Sequence, residues 1–143
     1  MTVRLLLSNA LLLASSAVLA QDIPNPNSRE FDPVAHMQRF FPGWQPPTVS
    51  QEELSKHLLG SAERPVRAQG PQGQHDYLSR LVCRNGKTPK FHRVGSIGDS
   101  PYGYPMDAYE VKCGWSSQQL VYMDLYHPRY IEQEPIRDFT LRD

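Results

Sequence analysis

The chain has 143 residues, with 15 basic and 15 acidic side chains and a formal net charge of zero. That length fits one domain with a modest core, and evenly mixed charge gives no electrostatic reason to expect nucleic acid or an anionic membrane surface as partner. Thirteen prolines against nine glycines favour a folded domain rich in ordered loops over a disordered chain.

Met1 to Arg4 form a short n-region with one positive charge, and Leu5 to Leu19 form an apolar run broken by Ser8, Asn9, Ser15 and Ser16. This is the grammar of a cleavable secretory signal peptide. Ala20, with Val18 two positions earlier, suits a peptidase pocket for small side chains, so residues 1–20 are read as the signal, cut before Gln21. The run is too short and too interrupted for the roughly 18 apolar residues of a membrane span, and it ends without the cysteine a lipid anchor requires. The mature protein is expected to have no membrane span and to be periplasmic or secreted.

Residues 21–30, polar and holding Pro24 and Pro26, are expected to form an extended leader with little structure. A single α+β domain is expected over 31–143, with two short N-terminal helices packed on a small, mostly antiparallel sheet and one disulfide. Asp32 and Pro33 supply an N-cap and a first-turn proline. Val34, Met37, Phe40 and Phe41 then follow at helical spacing until Pro42-Gly43. Trp44 to Pro47 reads as a connector whose tryptophan lies over the core. Ser50 and Glu53 make a capping box and Val49 with Leu54 its hydrophobic staple. Lys56 and His57 suit the helix C-terminus and Gly60 the left-handed cap.

From Arg64 the apolar residues follow period two. Tyr109, Val111 and Cys113 alternate with Glu110 and Lys112, and Val121, Met123 and Leu125 alternate with Tyr122, Asp124 and Tyr126, predicting two strands with one buried face each. Asn85-Gly86 is a turn signal, Lys90 to Val94 a return strand, and Val66 to Ala68 a short edge strand.

Cys83 and Cys113 are the only cysteines. In an oxidising compartment they have one possible pairing, and closing this loop contributes roughly 3 to 4 kcal/mol. In a plain meander of Tyr77–Cys83, Lys90–Val94 and Asp107–Cys113 the cysteines would sit about 9.6 Å apart, beyond the roughly 7 Å a disulfide spans. Either the first and third segments are neighbouring strands, or Tyr77–Cys83 is a helix or loop lying across the sheet. Neighbouring strands are the preferred expectation.

No nucleophile elbow, zinc-protease, Walker or dinucleotide signature is present. Gly95-Ser96-Ile97-Gly98 resembles an RNA-clamping loop only superficially and reads as a plain surface turn. The histidines His36, His57, His75, His92 and His127 lack metal-ligand spacing, so no metal and no cofactor is expected. A candidate binding surface comprises Tyr102, Tyr104, Asp124, Tyr126, His127 and Arg129, with Tyr130 beside it; these converge if the two best strands form a hairpin. Tyrosines offer rigid amphipathic contact area, and the polar residues add orientation. The plainer reading, favoured on sequence grounds, has the tyrosines covering the second sheet face while Asp124 satisfies backbone or arginine groups.

Two function classes follow. The preferred one is a non-catalytic binding or structural module of the cell envelope, with a protein, peptide or envelope polymer as partner. The other is a small hydrolase or transferase using His127 or His92 with Asp124, or His75 with Asp76, as acid and base. Paired cysteines and the absence of a serine elbow disfavour covalent catalysis.

Overall fold

The computed structural model describes residues 24–116 and 118–143; the expected signal peptide at 1–20 lies outside the described residues. Helix α1 spans Pro33–Phe40, with Asp32 accepting the Ala35 N–H. This is the element that the Asp-Pro pair encodes. Helix α2 is shorter than expected, Gln51–Ser55. Ser50 caps its start, accepting the Glu53 N–H at 3.4 Å. Lys56 and His57 close it with tight bonds to the carbonyls of Glu53 and Leu54. Gly60 follows at φ +87, where a side chain would strike Ile136 at 2.8 Å.

Four strands form a mixed sheet in the order β1 (Val66–Arg67), β5 (Gln119–Asp124), β4 (Pro105–Lys112), β3 (Lys90–Asp99). β4 pairs antiparallel with β3 and β5, whereas β1 runs parallel to β5 at the edge. A second, antiparallel sheet joins β2 (Leu81–Cys83) to β6 (Phe139–Leu141). The helices are not confined to the N-terminal side. The longest, α3 (Gly70–Arg80), lies mid-chain and buries Gln74, Tyr77 and Leu78 along one face.

The expected pairing of Tyr77–Cys83 with Asp107–Cys113 does not occur. Tyr77 to Arg80 belong to α3, and β2 pairs with β6. The Cys83–Cys113 disulfide is present with a Cα separation of 5.9 Å, so it ties the small sheet to the end of β4. Gly95 to Gly98 is not a turn but part of β3, where register shifts at Arg93/Gly95 and Ser96/Asp99 accommodate extra residues. The shifts leave Val94 and Ile97 exposed on the sheet edge, the kind of irregularity that blunts edge-to-edge pairing.

The main core packs Leu78 and Leu81 against Tyr109, Val111, Val121 and Met123, with Ile136 closing one side. On β4, Met106 and Ala108 alternate with Tyr109 and are also buried, so this central strand is covered on both faces rather than one. Gln74 is fully buried yet satisfied, accepting from the Tyr109 hydroxyl and donating to the Met123 carbonyl. The Tyr77 hydroxyl accepts the Ile136 N–H and donates to the Glu134 carbonyl, which fastens the segment before β6 to α3. Within the expected leader, Pro26 to Glu30 form turns and a bend, and Asn27 reaches α3.

Candidate functional site

The β3–β4 hairpin closes through Ser100, whose N–H donates to the Tyr104 carbonyl and whose hydroxyl accepts the Tyr102 N–H at 3.0 Å. Gly103, at φ +80, lies under the connector: a side chain there would meet Pro47 at 2.6 Å and Trp44 at 3.0 Å. At the same end of the sheet, β5 finishes at Asp124, opposite Met106 of β4. The antiparallel pairing therefore brings Tyr102 and Tyr104 beside Asp124, Tyr126 and His127.

Asp124 has no exposed surface. One of its oxygens accepts the Ser100 hydroxyl; the other accepts the Tyr126 N–H at 3.1 Å and lies 3.2 Å from His127 Nε2. The histidine is near enough for an ion pair, but its buried Nε2 is not aligned for a hydrogen bond. The order of contacts is Ser100, Asp124, His127, so the serine faces the carboxylate and not the imidazole. In a serine–histidine–aspartate triad the hydroxyl faces the imidazole, and here it does not.

Around this polar knot the rings touch in sequence. His127 contacts Tyr102 at 4.9 Å, Tyr104 at 5.7 Å and Tyr130 at 6.4 Å between centroids. Tyr104 contacts Trp44 at 5.2 Å and Tyr126 at 5.9 Å, and Tyr126 contacts His36 and Phe31 from the N-terminal segment. Trp44 thus covers this aromatic cluster and not the main core. His36 passes the contact to Phe40, which is 66% exposed. Burial raises the phenols of Tyr102, Tyr104, Tyr126 and Tyr130 above their ordinary pKa. They stay neutral donors at neutral pH.

Among the described residues Arg129 makes no ring contact with the cluster. It sits at φ +64 with its N–H bound to Gln69, and is exposed. Its place is taken by Arg67, absent from the sequence-based set. The Arg67 guanidinium lies 3.8 Å over the Tyr130 ring and 5.7 Å from that of Tyr102, and bonds the Tyr130 hydroxyl. The parallel β1–β5 pairing sets Arg67 opposite Asp124; a two-residue strand carries no periodic signal of that.

The other acid and base candidates are dispersed. His92 pairs with Glu110 at 3.1 Å on the exposed face of β3 and β4. His75 packs edge-on to Phe91 and Tyr109, while Gln72 holds the Asp76 carboxylate. Among the described residues no group of acidic, histidine and cysteine side chains could hold a metal ion, and no helix is long and apolar enough to cross a membrane. Comparison with protein families, with characterised proteins and with solved structures finds no match to this chain.

Proposed function

We propose that the protein is an exported module of the cell envelope, periplasmic or secreted, that recognises a protein or envelope polymer and catalyses nothing. The observation that carries this reading is the state of Asp124. It is fully buried, one oxygen accepting the Ser100 hydroxyl and the other the Tyr126 N–H, so the carboxylate beside His127 is spent on holding the hairpin. Recognition falls to the rings left at the surface: Phe40 together with the half-buried Tyr102, Tyr126 and Tyr130. A face of aromatic side chains flanked by arginine is the composition of protein-binding hot spots. The disulfide supports a site of action in an oxidising compartment.

The 3.2 Å approach of His127 to Asp124 favours the acid–base reading as the second choice. Against it, the Ser100 hydroxyl beside the pair faces the Asp124 carboxylate and not the His127 imidazole, so this serine is not placed to give its proton to the ring.

Intact mass of the protein from its native compartment tests export: a chain starting near Gln21, two hydrogens lighter than the dithiol, is expected. A photo-crosslinking side chain at Phe40 should give a discrete adduct in the exporting cell, while one at Val94, on the distant sheet edge, gives none. Equal labelling from both positions, or none from either, would remove the recognition face.

A further inference from the structure

A cleft of about 400 Å³ runs along α3, between the helix face carrying Gln72, Asp76 and Arg80 and the segment Tyr130 to Glu132. Three arginines line it: Arg29, Arg67 and Arg80. Among the described residues none of these three forms an ion pair, whereas Arg64, Arg84 and Arg93 each hold a carboxylate. Arg80 is fixed by the carbonyls of Glu132 and Arg142 and by the Gln133 side chain, so its charge stays in the cleft uncompensated by a partner.

The two carboxylates in the lining do not meet this need. Glu132 accepts the N–H groups of Gln133 and Glu134 and the Tyr130 hydroxyl. Asp76 accepts the Gln72 amide. Both carboxylates keep their charge while giving oxygens to neutral donors, so the lining sets three guanidinium groups against two carboxylates, with neither carboxylate within ion-pair distance of an arginine among the described residues. Arg67 presents a further feature. Its plane is held against Tyr130 and one of its nitrogens donates to that hydroxyl; among the described residues its other N–H groups make no hydrogen bond, which leaves a guanidinium edge for a ligand. A preoriented fork of this kind matches a planar or tetrahedral oxyanion.

We propose that this cleft is a binding site for an anionic oxygen group, a carboxylate or a phosphate, on a ligand small enough to enter it. Arg67 holds the group through its free edge, Arg29 closes over it from the rim, and Arg80 supplies charge from the floor. The apolar remainder of the ligand lies along Tyr130 and the exposed Ile131. The cleft borders the aromatic face and shares Tyr130 and Arg67 with it, but anion binding there stands whether or not that face binds a partner.

The test is a titration of ¹⁵N-labelled protein with inorganic phosphate and, separately, with succinate, each against chloride at equal ionic strength. Saturable amide shifts centred on Gln69, Gln72, Gly73 and Ile131 are expected with at least one probe, and the probe that saturates first names the group. Arg29→Ala and Arg67→Gln should each weaken that binding by about tenfold, the loss of one charge-assisted hydrogen bond. Arg84→Ala should leave it unchanged. Absence of saturation with both probes, shifts centred elsewhere, or equal affinity in Arg29→Ala would overturn the proposal. Arg29 is exposed and makes no side-chain hydrogen bond or ion pair among the described residues, so this variant keeps the test valid even if Arg67→Gln fails to fold.

Discussion

Asn27 Oδ1 accepts the backbone N–H of Gln72, 45 residues further along the chain, at 2.9 Å. Helix α3 has no side-chain cap of its own, since Gln69 at its N-cap position makes no such bond; Asn27 supplies that cap from outside the helix. Gly70 permits the approach: at φ +64, a side chain there would lie 2.4 Å from Asn27 Oδ1. Asn27→Ala should cost about 1 kcal/mol in urea unfolding, the usual value of a lost helix cap, and Asn27→Asp should restore most of it. No loss in Asn27→Ala would mean that α3 does not depend on this remote cap.

Asp124→Ala should be far more damaging. It strands the buried Ser100 hydroxyl and the Tyr126 N–H together, and leaving such donors without an acceptor costs about 3 kcal/mol or more in total. Asp124→Asn, which keeps an acceptor oxygen, should lose less than half as much. Equal loss in the two variants would show that the charge, not the acceptor geometry, holds the hairpin.

Much of this architecture is legible in the residues themselves. Asp32-Pro33 and the apolar spacing behind it give α1; the alternation around Tyr109 and Met123 gives β4 and β5; two cysteines in one chain give the disulfide. Helix α3 is hidden because its buried face includes Gln74, whose polarity interrupts the apolar pattern, and because its cap comes from Asn27. The β2–β6 pair is three residues long on each side, too short for period two to stand out from chance. Arg67 is hidden for the same reason, since its nearness to Tyr102 and Tyr130 depends on the parallel β1–β5 pairing. In each case a distant partner defines the element.

Breaking the Cys83–Cys113 bond removes a link between residues 30 apart that joins the small sheet to β4. Chain-entropy arguments put its contribution at roughly 3 to 4 kcal/mol. The double variant Cys83→Ala with Cys113→Ala should lower the urea midpoint correspondingly. The Leu81–Leu141 pairing should fray first, visible as lost amide protection in β2 and β6. Uniform loss across both sheets would instead mark a fully cooperative unfolding.

The N-terminal helix should come loose from the cluster in acid. Burial first, and the Arg39 charge second, hold His36 below its ordinary pKa of 6.5, and its buried Nδ1 has no hydrogen-bond partner. The unfolded chain thus takes the proton more readily than the folded one. Above about pH 6.5 both states are neutral at this residue and it makes stability independent of pH. As the pH falls through that value the unfolded state protonates first, so stability drops until the lower folded-state pKa is reached. His36→Phe keeps the ring contacts to Phe31, Phe40 and Tyr126 and abolishes the titration, at the cost of the contact with the Tyr126 hydroxyl. Urea midpoints of the two proteins, followed from neutral pH downward, should converge as the native protein loses more stability than the variant. Carboxylate titrations are common to both and cancel in the difference, so parallel curves would show that His36 is not the group that makes the helix acid-sensitive.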